Sequence, residues 1–124
     1  MQEIDQIAKS IVDSAFRVHQ KLGPGLLEKV YETCLAYELE KNGLKVERQK
    51  AIPIIYDSIS FEEGFRLDLL VEDSVIVEMK ATEKDNPLWQ AQLLSYMKMT
   101  QIKLGFLINF NTPLFKQGIK RFVL

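Results

Sequence analysis

The two runs Phe65–Val71 and Val75–Lys80 constrain this chain more than any other feature, because their apolar residues fall on alternate positions. Successive side chains of a strand project to opposite faces, so odd and even positions separate. The odd set is Phe65, Leu67, Leu69, Val71, Val75, Val77 and Met79, wholly apolar, and predicts a core face. The even set is Arg66, Asp68, Leu70, Glu72, Ser74, Ile76, Glu78 and Lys80, a mixed face with its charges gathered away from the turn. Glu72-Asp73-Ser74 joins the runs as a hairpin. For both odd sets to share one face, paired residue numbers must sum to an even number. A turn centred on Asp73 then sets Asp68 directly opposite Glu78.

Directly opposed side chains stand about 4.5–5.5 Å apart at Cβ, and like charges there destabilise a sheet. Lys80 and Arg66 offset part of the repulsion as diagonal neighbours. A divalent cation offsets more, because two carboxylates on rigid strands can share a hard ion together with several waters. Such a centre suits phosphodiester hydrolysis, with Mg2+ (or Mn2+ in its place) polarising the phosphate and acidifying a water. Lys80 shares the face of Glu78 and would orient or deprotonate that water, or stabilise charge on the transition state. The same spacing equally describes solvated charges on an outward strand face, and the hairpin alone leaves both readings open.

The rest of the chain supplies elements to cover such a sheet. Ile4, Ile7, Ile11, Val12, Ala15, Phe16 and Val18 recur at helical spacing and predict a helix over about residues 2–20, broken by Gly23-Pro24-Gly25. A second helix is expected from Leu26 to Lys41, stopped by Asn42-Gly43. Val46 to Tyr56 reads as a strand in which Pro53 marks an edge or a bulge. Asn86-Pro87 opens a third helix over Leu88 to Thr100; Leu104 to Phe110 and Ile119 to Leu124 read as strands. The order ααβββαββ predicts one α/β domain over residues 1–124, a mixed sheet flanked by helices.

Charge argues partly against a nucleic-acid partner. Sixteen Lys and Arg against 17 Asp and Glu leave a formal net charge of −1, so no basic field covers the surface. Lys116, Lys120 and Arg121 are the one notable basic cluster, a candidate phosphate contact; Arg48, Lys50 and Lys103 are scattered. One cysteine, Cys34, precludes an internal disulfide and fits a reducing cytoplasm. No membrane span is expected, and the start MQEIDQIAKS lacks the pattern of a secretory signal. With one histidine, His19, beside that cysteine, a zinc set of His and Cys is excluded.

Three segments, Gly64-Phe65-Arg66-Leu67-Asp68, Glu78-Met79-Lys80 and Gln92-Leu93-Leu94-Ser95-Tyr96, resemble the motifs of RecB-type members of the PD-(D/E)XK nuclease superfamily. Those motifs are a glycine four residues before an aspartate, an E-x-K strand and a Q-x-x-x-Y helix. GLLEKVY, Gly25 to Tyr31, is similar to the signature of the small GxxExxY family within it, and the likeness extends over nearly the whole chain. The resemblance implies a restriction-endonuclease-like core and a Mg2+-dependent nuclease. It implies Asp68 and Glu78 as metal ligands, joined by the Met79 backbone carbonyl, with Lys80 as the catalytic lysine. Glu28 would complete the site directly or through water; on its own it reads as an acid favoured in the first turn of a helix. Gln92 and Tyr96, four apart on one helix face, would position the lysine or touch the nucleic-acid backbone, DNA or RNA; otherwise they form a buried polar pair. Trp89 stands where the family pattern often has histidine, and is expected to pack. The alternative function is a catalytically silent module of this fold that binds nucleic acid or protein. A homodimer through the apolar C-terminal strand edge is a further possibility.

Overall fold

The computed structural model describes residues 3–124, so Gln2, at the start of the expected first helix, lies outside the described residues. Nine elements follow one another: α1 (Ile4–Leu22), α2 (Glu28–Lys41), β1 (Val46–Tyr56), β2 (Ile59–Val71), β3 (Val75–Lys80), α3 (Pro87–Thr100), β4 (Leu104–Asn109), α4 (Phe115–Gly118) and β5 (Ile119–Val123). The strands form one five-stranded sheet in the order β1-β2-β3-β4-β5. All neighbours run antiparallel except β3 and β4, which are parallel and joined through α3. The expected mixed α/β sheet with flanking helices is therefore observed. Among the described residues no helix is long and apolar enough to cross a membrane.

Helices cover both faces of the sheet. Ile7, Ile11, Ala15 and Val18 of α1 and Tyr31, Leu35 and Leu39 of α2 pack with Leu69, Val71, Val75, Val77, Met79, Phe106 and Ile108 in the larger core. Leu93 and Met97 of α3 pack with Leu70, Ile76 and Leu107 in the smaller one on the other face. Gly105 belongs to that contact: a Cβ there would stand 2.9 Å from Met97 Sδ, so α3 comes this close because the residue has none.

The hairpin register is the one parity predicts through its closed end, Val71↔Val75, Leu70↔Ile76 and Leu69↔Val77. The single odd core face is corrected. Phe65 and Leu67 are odd, yet they belong to the smaller core under α3, where the Phe65 and Tyr96 rings stack with centroids 4.2 Å apart. Leu67 and Leu69 are both fully buried in different cores, so alternation inverts at Asp68. The cause lies on both sides of that residue: its carboxylate turns toward β3, and Gln49, opposite it on β1, has a left-handed φ of 49°.

β2 also begins earlier than expected. A turn at Asp57-Ser58 folds β1 onto residues from Ile59 onward, making a two-stranded arm exposed near its tip. Pro53 sits where expected, on an edge strand, at a register shift between Ile52 and Ile54. The motif glycine, Gly64, lies against Ile54, whose side chain fills the space a Cβ would take.

Candidate active site

The hairpin opens at the position after Leu69↔Val77. Asp68 and Glu78 sit there, and their side chains, not backbone carbonyls, accept the hydrogen bonds between the strands. The Asp68 N–H donates to Glu78 Oε2 at 2.8 Å, and the Met79 N–H donates to Asp68 Oδ2 at 2.9 Å. The two acids thus meet as expected, laced reciprocally through each other's strand. Within a strand residue the N–H and C=O point to the same side. Since the Met79 N–H faces β2, its carbonyl faces the same opening, while the next carbonyl, that of Lys80, accepts Phe110 N–H from the other side.

Burial dominates the electrostatics. Glu78 is 6% exposed, and desolvation, then the charge of Asp68, push its carboxyl up to about 8. Asp68 is raised too, by burial, against the hydrogen bonds from Met79 and Gln49. Lys80 lowers both, but it is not within 4 Å of any carboxylate among the described residues. Its Nζ lies over the Trp89 ring, 5.3 Å from the centroid. Trp89 packs against the smaller core as expected, and it also carries the ammonium.

Glu28 is the first residue of α2. Glu28 is exposed, yet partial desolvation, then the Asp68 charge, raise its carboxyl, and Glu28 in turn raises Glu78, so the three acids share one neighbourhood. Tyr31 fixes that helix start: its hydroxyl donates to Gly23 O at 2.6 Å and accepts Leu26 N–H at 3.1 Å, while its ring stacks on Phe110. Glu28, Lys29, Glu32 and Gln49 line an open hollow of about 360 Å3. Among the described residues no three His, Cys, Asp or Glu side chains gather closely enough to cage a metal.

Tyr96 reaches the site from α3; burial, then the charges of Glu78 and Asp68, raise its hydroxyl. It is half-buried on Phe65, whereas Gln92 is exposed, so the two are not a buried pair. The basic cluster is corrected. Ile119 packs with the larger core and Phe122 with the smaller, so strand alternation sends Lys120 and Arg121 to opposite faces. Lys120 pairs with Asp85 at 2.8 Å, and Lys116 is exposed on α4 rather than on the strand. Cys34, expected in the core, is half-buried at its margin.

Sequence reasoning missed Gln49, whose amide donates to Asp68 Oδ1 at 3.2 Å, and Glu32, which accepts from that amide at 2.6 Å. A glutamine in a strand carries no signal; the one hint is that Glu32 follows Glu28 by one helical turn. Comparisons with curated proteins and with solved structures return no significant match. The sequence model of the PD-(D/E)XK nuclease superfamily matches residues 5–122, from α1 into β5. With the match spanning nearly the whole fold, the chain belongs to the PD-(D/E)XK nuclease superfamily.

Proposed function

We propose that this protein is a divalent-cation-dependent nuclease of the GxxExxY group, hydrolysing phosphodiester bonds of DNA or RNA. Nucleases of the superfamily generally use divalent metals. The observation that carries the reading is the Asp68–Glu78 pair: a buried and a half-buried acid at one opening, both with raised pKa, and no cation within ion-pair reach among the described residues. Placing like charges this close in a sheet costs stability unless a countercharge is shared between them.

The donor set fits Mg2+, with Mn2+ able to replace it. Asp68 and Glu78 offer carboxylate oxygens and Met79 its carbonyl, all hard donors, and Glu28, whose charge couples to both acids, would act through water. The bound ion supplies Lewis-acid polarisation of a phosphate and acidification of water. The chain's own residues do the rest. Lys80 donates hydrogen bonds from its perch on Trp89, orienting the attacking water or balancing charge on the phosphate oxygens. Tyr96, kept protonated by its surroundings, donates to a non-bridging oxygen, and the exposed Gln92 contacts the backbone beside it. With net charge −1, phosphate affinity comes from the ion and these donors rather than from a basic surface.

The test is cleavage of single- and double-stranded DNA and RNA with Mg2+ or Mn2+, comparing wild type with Lys80→Ala and Asp68→Asn. Loss of at least about a hundredfold in rate is expected for both. Cleavage that survives both substitutions removes this site from the reaction.

A further inference from the structure

Gln49 occupies a left-handed backbone conformation, φ 49°, that residues other than Gly, Asn and Asp rarely adopt. The β1–β2 pairing runs through Arg48↔Leu69 and Lys50↔Leu67 and skips the Gln49–Asp68 position between them. What this irregularity achieves is visible in the side chain. Nε2 lies 2.6 Å from Glu32 Oε1 and 3.2 Å from Asp68 Oδ1. A primary amide has two N–H donors, and here each serves a different carboxylate. The carbonyl end would face two anions, so chemistry permits one orientation. Glu32 is fixed in turn: Arg48 donates to its Oε2 through Nε at 3.1 Å and Nη2 at 3.0 Å, and Nη2 also donates to Thr33 Oγ1 at 2.7 Å. An unbroken chain, Arg48–Glu32–Gln49–Asp68, crosses from α2 over β1 to β2.

We infer that Gln49 is a positioning residue, locking the Asp68 carboxylate in the rotation at which it shares a cation with Glu78. The inference rests on the cation-dependent reading above. Asp68 Oδ2 is held by the Met79 N–H, and with that contact alone the carboxylate is free to turn and open it. Gln49 anchors the other oxygen. A lysine or arginine in its place would anchor Asp68 equally well but would also neutralise it and compete with the metal. The neutral amide fixes direction and leaves the charge for the cation, which is how partners behind a metal ligand commonly tune it. From this left-handed backbone the amide reaches Glu32 and Asp68 together.

Gln49→Gly and Gln49→Asn test this, since both residues accept a positive φ and keep the strand. Three quantities are measured: melting temperature, calorimetric affinity for Mn2+, and amide exchange at Met79, with Val77 inside the hairpin ladder as control. Gln49→Gly is expected to melt at or above the wild-type temperature yet bind Mn2+ about 10–100-fold more weakly. Its Met79 amide exchanges faster while Val77 does not change. Gln49→Asn, one methylene shorter, falls between. Wild-type protection of Met79 in Gln49→Gly overturns the assignment whatever the metal does. A wild-type protein that binds no divalent cation defeats the function proposed above, and Met79 exchange still decides the role of Gln49.

Discussion

The two ends of the β2–β3 hairpin are built from the same two strands by opposite rules. At the closed end Val71, Leu70 and Leu69 pair with Val75, Ile76 and Val77, all six are buried, and backbone meets backbone. At the open end the carboxylates of Asp68 and Glu78 accept the N–H groups that neutral carbonyls would take in a regular ladder. The closed end satisfies every group without charge. The open end satisfies its donors with two carboxyl groups whose ionised forms burial disfavours, and it is held in place by the stability of its neighbours. This sheet presents its acids where ladder, alternation and backbone conformation are all interrupted, at Asp68 and Gln49.

The contrast breaks most visibly in stability. Leu69→Ala, a fully buried deletion at the closed end, is expected to cost about 2–5 kcal/mol in a urea titration. Glu78→Gln, one step away, is expected to do the reverse. The amide still accepts the Asp68 N–H but carries no charge, so the metal-free protein should gain about 1–3 kcal/mol above pH 8 while losing Mn2+ affinity. A Glu78→Gln loss as large as that of Leu69→Ala would show that both ends are ordinary packing.

The pH dependence follows from the same acid. Glu78 in the unfolded chain releases its proton near 4.5, and in the folded chain at about 8. Between those values the folded state holds more protons, so metal-free stability falls as pH rises through the window and levels above it. Asp68 and Glu28, both raised by burial, act in the same direction. Thermal melts at a series of pH values should show this slope in wild type and a reduced one in Glu78→Gln. Cation binding near pH 7 should expel roughly one proton, seen as a dependence of calorimetric heat on the buffer's ionisation enthalpy. Binding without proton release would separate Glu78 from the metal.

What the sequence made legible divides along the same line. The closed end and the meeting of Asp68 with Glu78 follow from period-two alternation, and the element order, apart from the unforeseen four-residue α4, from helical spacing and Gly, Pro and Asn stops, regular properties that single residues report faithfully. The inversion at Asp68 was illegible because alternation cannot announce its own interruption: Phe65 and Leu67 are apolar in either core. Gln49 was illegible because its role depends on a φ that glutamine rarely takes and on two carboxylates far from it in sequence. The basic cluster was misjudged because adjacency along a strand, as in Lys120 and Arg121, means separation across the sheet. Glu28 lay between these cases: its helical position was readable, and its proximity to Asp68 came through the resemblance of GLLEKVY to a family signature.

The smallest effect concerns where the open end stops. Lys80 closes β3, and its ammonium rests on Trp89 without a carboxylate within 4 Å among the described residues. A cation over an aromatic face at a partly exposed site contributes about 0.5–1 kcal/mol. Trp89→Leu keeps an apolar group against the smaller core and removes the ring's electrostatic attraction; Trp89→Phe restores a weaker one. If the ring holds Lys80 in its working position, Trp89→Leu should lower kcat about two- to fivefold at nearly constant KM, with Trp89→Phe intermediate. Because Trp89 is the only tryptophan, its emission reads the contact directly, and Lys80→Ala should shift it without unfolding the protein. An emission spectrum indifferent to Lys80, together with unchanged kcat in Trp89→Leu, would make the tryptophan plain packing and confine the open end to Asp68, Glu78 and the residues that aim them.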